Sequence, residues 1–226
     1  MQQEKPSGKK LLQYKYQWYM QDYLACVASI DENIGRVLQY LDSTGLNKNT
    51  LVMYTSDQGF YLGENGWFDK RWMYDVAMQT PLLARWPGHI KPATISNAMV
   101  QNIDWAPTLL QAAGVAVPAF MQGESLVPIL TGKEQKLKRT NLYYHFYEYK
   151  ADHTVLQHLG IRGERYKLIY FYTVNEWEFY DLQTDPREEH NLIHSPEHQP
   201  IVVRMKKELV QARKQYEDTE PAGELP

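Results

Sequence analysis

No disulfide can form within this chain, because Cys26 is the single cysteine among its 226 residues. That excludes the small scaffolds that rely on cross-links in place of a core. It is neutral on compartment. Long apolar runs are also missing. No segment approaches the ~20 residues that cross a bilayer as a helix, so no membrane span is expected. Met1-Gln2-Gln3-Glu4-Lys5-Pro6 has no apolar stretch, so no signal peptide is expected in this chain. Neither sign of charge dominates. A net charge of −3 offers no electrostatic case for nucleic acid or an anionic membrane surface. Internal repeats and low-complexity tracts are absent. What remains is ordinary globular composition, 43% hydrophobic, enough for one large domain or for a domain with a smaller companion. Tyrosine is the unusual abundance, with 17 copies.

Gln13 to Leu41 has the spacing of one long helix. Tyr23, Val27, Ile30, Ile34, Val37, Leu38 and Leu41 form its apolar stripe. Cys26 lies inside this helix, where a lone cysteine is expected to be a small core residue. Gly45 is the expected stop. Two short apolar runs, Leu51–Thr55 and Pro81–Trp86, predict strands. Helix then strand is the half-unit of a doubly wound α/β sheet. Asp104 is an expected N-cap for a helix over Trp105–Ala113. The charged stretch Lys133–Arg139 marks an expected boundary, with residues 1–134 in one domain and 135–226 in a smaller one. Beyond it, Leu142–Tyr149, Leu159–Arg162, Tyr166–Tyr172 and Glu178–Leu182 predict a small antiparallel sheet. Ser195-Pro196 opens a terminal helix with Ile201, Met205, Leu209, Ala212 and Tyr216 on its apolar face. Glu217–Pro226 is expected to fray.

The most informative segment is Ser56-Asp57-Gln58-Gly59, at the end of the first strand, and the loop that runs from it to Trp67-Phe68-Asp69-Lys70. In open α/β sheets ligands bind beyond the carboxyl ends of strands. An aspartate beside a side-chain amide offers hard oxygen donors, which suit Ca²⁺ or Mg²⁺. Lys70 follows on the far side of the loop, where an ammonium can face an anion. Read alone, the pair is equally an ordinary polar turn, and Lys70 an ordinary surface lysine.

The run "SDQGFYLGENGWFDKR", continued by "MYDVAMQTPLLARWPG", resembles the sulfatase family, on the alkaline-phosphatase-like fold. The resemblance extends from about Tyr23 to Tyr216. "WEFYDLQTDPREEHNL" resembles the short C-terminal subdomain of the same proteins. Within the family the chain looks most like bacterial enzymes acting on amino-sugar sulfates, such as N-acetylglucosamine-6-sulfatases. The implied fold is part of a doubly wound sheet plus a small α+β subdomain. The implied cofactor is Ca²⁺ on Asp57 and Gln58, and the implied catalytic residue is Lys70, facing the sulfate. The implied substrate is a sulfated sugar or glycosaminoglycan, and the implied location of the full-length family is periplasmic or secreted. Asn65 stands where relatives carry histidine, Asp75 where Glu is more usual, and Gln79 where Arg is more usual. In the aromatic strands, His145, Glu148, His153, His158 and Arg162 are candidates to face the sugar. Strand alternation accounts for the same pattern.

The family's nucleophile is a formylglycine made from Cys or Ser in C-x-P-S-R or C-x-A-S-R. Cys26 sits in Leu24-Ala25-Cys26-Val27-Ala28-Ser29-Ile30, which is no such motif. The paired N-terminal aspartates of the family's metal site are missing too. The chain is therefore expected to be the C-terminal part of a sulfatase, inactive alone, with the missing N-terminal half as a candidate partner. Two other readings remain open at this level. One is a phosphodiesterase or phosphonate hydrolase of the same superfamily. The other is a non-catalytic remnant that binds glycan or a partner subunit.

Overall fold

The computed structural model describes residues 7–149, 154–223 and 225. The chain divides into two compact units, Met1–Leu51 and Val52–Pro226. The first unit is dominated by helix α1, Gly8–Thr44, which is longer at both ends than its apolar stripe predicts. Gly45 ends it at φ 72°, a left-handed turn that glycine adopts without steric cost. None of the residues of α1 is buried, and Cys26 is exposed rather than in a core. Within its unit the helix contacts the 3-10 turn Leu46–Asn49, which is too short to cover an apolar stripe of that length.

The second unit holds two sheets. Strands β1 (Val52–Thr55) and β2 (Leu82–Arg85) pair antiparallel, Val52 opposite Arg85 and Thr55 opposite Leu82. Between them lies helix α2, Asp75–Met78. Helices α3 (Trp105–Ala112) and α4 (Val127–Leu130) follow. Strands β3 (Leu142–Phe146), β4 (His158–Arg162), β5 (Tyr166–Phe171) and β6 (Glu176–Asp181) then form an antiparallel meander in sequence order. Helix α5, Gln199–Gln215, closes the chain.

Both faces of the four-stranded sheet are covered, which is why β5 is buried from Lys167 to Phe171 instead of alternating. On one face Leu159, Ile161, Leu168 and Phe179 pack on Val202, Met205 and Leu209 of α5. On the other, Ile169, Phe171 and Tyr180 meet Tyr61, Met73, Tyr74 and Ala77, which belong to the segment joining β1 and β2. Gly160 permits this second contact: a Cβ there would lie 2.7 Å from the sulfur of Met73.

Polar clasps fix the connections. Asp104 does not cap α3 with its side chain. It is fully buried, accepts the amides of Gln101 and Glu124 at 2.8 Å each, and pairs with Arg139. The guanidinium of Arg139 also reaches Glu124 at 3.2 Å and Gln101 at 2.9 Å. Burial works against the charge of Arg139, but Asp104 and Glu124 raise its pKa further. The tail is likewise not frayed throughout. Asp218 accepts from Tyr143 and lies 2.7 Å from His145, and Ala222 is buried. These contacts outweigh the chain entropy that composition alone predicts would keep the tail loose.

His158 is a core residue, not a sugar-facing one. It is 0% exposed, ringed by Trp72, Tyr144, Phe146 and Phe171 at centroid distances of 5.2–5.7 Å. Its Nδ1 lies 2.7 Å from the carbonyl of Leu156, which can only accept, so Nδ1 carries the proton. Nε2 has no hydrogen-bond partner among the described residues. Burial pushes its pKa down from 6.5 to about 4, against the hydrogen bond to Leu156 and with a small contribution from His145.

Two outcomes follow from these sites. Arg139→Met leaves the carboxylate of Asp104 buried without its cation and should cost about 3–5 kcal/mol. Urea unfolding checks this, and an unchanged midpoint would show that the clasp contributes nothing. For His158, the folded pKa lies below the unfolded one, so the folded state binds fewer protons as acid is added. Its contribution is complete above pH 6.5 and is lost as pH falls from there through about 4. His158→Phe should remove roughly 3 kcal/mol of the stability difference between pH 7 and pH 3. Stability curves of both proteins that run parallel across that range would refute the assignment.

Candidate functional site

The site begins where β1 ends. The hydroxyl of Ser56 donates to the carbonyl of Gln58 at 2.9 Å, turning the chain and leaving Asp57 exposed. Apart from a contact of 3.4 Å from the hydroxyl of Ser56, the carboxylate of Asp57 is free among the described residues, as is the side-chain amide of Gln58. Gly59 then runs against α2. Its N–H donates to the carbonyl of Ala77 at 2.7 Å, and a Cβ there would lie 2.2 Å from the carbonyl oxygen of Val76. Only glycine fits this approach.

The loop returns through hydrogen bonds from Tyr61 to Asp69 at 2.8 Å and from Gly63 to Trp67 at 2.9 Å. Its tip is left-handed at Gly63, Asn65 and Gly66, with φ of 113°, 55° and 77°. Asparagine and histidine both tolerate that conformation better than most residues, so a backbone reason accounts for Asn65. Trp67 stacks on Trp72 at 5.3 Å and on Tyr74 at 5.9 Å, which anchors the return. Burial opposes the charge of Asp69, yet the amides of Lys70 and Arg71 and the guanidinium of Arg71 hold its carboxyl below the usual range. With its neighbours fixed in this way, Lys70 projects from an ordered turn, and it is exposed.

Glu148 belongs to the same neighbourhood. It lies 3.8 Å from Arg71, and the hydroxyl of Tyr144 donates to the Arg71 carbonyl at 2.8 Å. Burial pushes the pKa of Tyr144 up to about 12. His145 is turned to Asp218 and to the hydroxyl of Tyr172, 3.2 Å from its Nε2. Arg162 donates to Asp75 at 3.0 Å and lines a cavity of about 510 Å³ with Gln79, Arg165 and Gln183. His158 is in the core, and His153 lies outside the described residues. Thus Lys70 and Glu148 share one loop region through Arg71, while His145 and Arg162 serve other contacts.

Sequence reasoning missed Arg71, Lys167 and Glu188. Lys167 was detectable as a lysine inside an otherwise apolar strand, which implies a buried anionic partner. Asp185, Glu189 and His190 lie close enough to share an ion, but both oxygens of Asp185 already accept the amides of Glu189 and His190. Among the described residues no helix is long and apolar enough to cross a membrane.

Residues 63–215 match the family model for the C-terminal part of N-sulphoglucosamine sulphohydrolase, and residues 2–115 match the sulfatase model. The chain is 49% identical to the N-acetylglucosamine-6-O-sulfatase of Bacteroides thetaiotaomicron over 95% of its own length and 39% of that protein. It superposes with a TM-score of 0.92 and 47% identity on a protein solved in complex with its substrate D-glucosamine-2-N,6-O-disulfate, covering 96% of this chain and 44% of that one. A phosphonate monoester hydrolase from Silicibacter pomeroyi superposes at 0.76 with 28% identity, over 84% of this chain and 40% of that one. The chain thus spans about two-fifths of the relatives it matches. Both family models and the half-identical relative point the same way, and the chain belongs to the sulfatases, with their alkaline-phosphatase-like α/β fold.

Proposed function

We propose that this chain supplies the metal loop and the leaving-group lysine of a sulfuric ester hydrolase acting on a sulfated amino sugar. The observation that carries the reading is the loop at the end of β1. It presents a carboxylate and an amide without strong internal partners, and its returning segment carries an exposed lysine on an anchored turn. The name of the Bacteroides relative and the disulfated glucosamine bound by the structural neighbour support an amino-sugar sulfate as substrate, and with it a role on glycosaminoglycans.

The donor set fits calcium as far as it goes. Asp57 and Gln58 offer two hard oxygens, one charged and one neutral, of the about six to eight that Ca²⁺ takes. The remainder would come from substrate, water and the family's paired aspartates, which this chain lacks. When bound, the cation would neutralise sulfuryl oxygens and stabilise charge in transfer. Asp57 would bind and orient it, with Gln58 as a second, neutral contact. Lys70 would stabilise charge developing on the bridging oxygen as the sugar departs. Glu148, held near Arg71, stands close enough to this loop to contact sugar hydroxyls.

The nucleophile is not in this sequence. Turnover would therefore require the N-terminal half of the family's catalytic domain, and the complete enzyme would work in the periplasm or outside the cell. The likeness to a phosphonate monoester hydrolase keeps a second substrate class in play, because the same donors would serve a phosphonate ester.

The isolated chain should not hydrolyse nitrophenyl sulfate, glucosamine 6-sulfate or phenylphosphonate esters. Turnover that tracks the purified chain and survives Cys26→Ala would overturn this. Joined to a nucleophile-bearing half, Asp57→Ala should abolish calcium binding and activity together, and Gln58→Ala should weaken both less. Calorimetry with unchanged calcium affinity in Asp57→Ala would remove the ligand assignment. In the same enzyme Lys70→Ala should lower kcat by roughly a hundredfold or more, with a smaller change in KM. The deficit should shrink for acidic leaving groups such as nitrophenol. A deficit that is flat across a leaving-group series would make Lys70 a sulfate contact only.

A further inference from the structure

Asp75, the first residue of α2, is held on three sides. Its N–H donates to Glu188 Oε2 at 2.7 Å, Lys167 Nζ donates to its Oδ1 at 2.6 Å, and Arg162 Nη2 donates to its Oδ2 at 3.0 Å. Lys167 also forms an ion pair with Glu188 Oε1 at 2.6 Å. The Lys167 side chain is 0% exposed and that of Glu188 2%. Glu188 stands in the left-handed region at φ 57°, a conformation a non-glycine residue keeps only when its surroundings impose it.

A four-residue helix has no stability of its own. Its position is set by what grips it. Besides the ion cluster, the hydroxyl of Tyr74 donates to Glu178 at 2.7 Å, so a second tie runs from the same point to β6. Two residues beyond Asp75, the carbonyl of Ala77 takes the N–H of Gly59 at 2.7 Å. The two backbones are in contact there, with no side chain between them to absorb a shift. Asp57 and Gln58 immediately precede Gly59.

A buried ion pair adds little net stability compared with apolar residues of the same size. A fully buried lysine and glutamate meeting a partly exposed aspartate at one point therefore call for another role. We propose that Lys167, clamped between Asp75 and Glu188, is a positioning residue for the Asp57–Gln58 loop. It holds α2 against the sheet and, through the Ala77–Gly59 hydrogen bond, sets where the two oxygen donors stand. The importance of that placement rests on the reading of Asp57 and Gln58 as metal ligands, whereas the mechanical link does not.

The test compares wild type with Lys167→Met, using hydrogen exchange of individual amides in the chain and calcium calorimetry after each is joined to a nucleophile-bearing half. Exchange at Gly59 should speed at least tenfold, while the β5–β6 ladder amides of Ile169 and Glu178 stay within about twofold, which separates local release from global opening. Calcium affinity should fall at least tenfold. Equal acceleration at Gly59 and in the ladder, or no change at Gly59, would overturn the proposal by leaving Lys167 a purely structural residue. If the joined wild type binds no calcium while Gly59 is selectively released in the variant, the positioning role stands and the metal-ligand reading fails. Should Lys167→Met not fold, Glu188→Gln keeps the shape and removes one charge. The same exchange ratio decides the proposal.

Discussion

A lysine with no solvent exposure inside a β-strand is costly unless anions meet it. Lys167 is met by Asp75 and Glu188, which come from segments far apart in the chain. The cluster is therefore a three-way joint between the segment after β1, the middle of the sheet, and the turn after β6. Its two carboxylates are not equivalent. Burial opposes charge on both, but Lys167 and Arg162 hold Asp75 below the ordinary range, while Glu188 stays above it. The segment after β1 has little structure of its own, one short helix and an irregular turn, so tertiary contacts set its place, this joint and the packing of Tyr61, Met73 and Tyr74 among them.

The tyrosines give the same lesson at lower cost. Tyr74 and Tyr180 both donate to Glu178, Tyr144 to the carbonyl of Arg71, and Tyr143 to Asp218. The hydroxyls of Tyr74, Tyr144 and Tyr143 tie loop or tail segments to the sheet, while that of Tyr180 stays within β6. The aromatic wealth of this region is thus largely internal. Lys70 and Glu148 are among the side chains that remain exposed beside those ties.

On the proposed reading, the division of labour is physical as well as chemical. The second unit builds and holds a loop bearing two oxygen donors and a lysine. Two donors do not complete a calcium shell, and no nucleophile accompanies them. What the loop would contribute is placement, with Gly59 and the Trp67 stack fixing the backbone from which the charged groups project.

Elements whose identity depends on near neighbours were legible from the chain itself. The helix stop at Gly45, the turn at Gly163-Glu164-Arg165, the four strands of the meander and the apolar face of α5 all follow from local periodicity and turn chemistry. So does the family, because the run from Ser56 to Lys70 is long and ordered. Burial was not legible. Periodicity marks an apolar face but not whether anything covers it, so Cys26 is exposed while the polar His158 is enclosed by four aromatic rings. The partners of charged groups were equally hidden. Asp104 meets Arg139, and Asp75 meets Lys167 and Glu188, across separations that no local pattern encodes. Only the tertiary structure decides such pairs, because a charge leaves water for whichever counter-charge the completed fold places beside it.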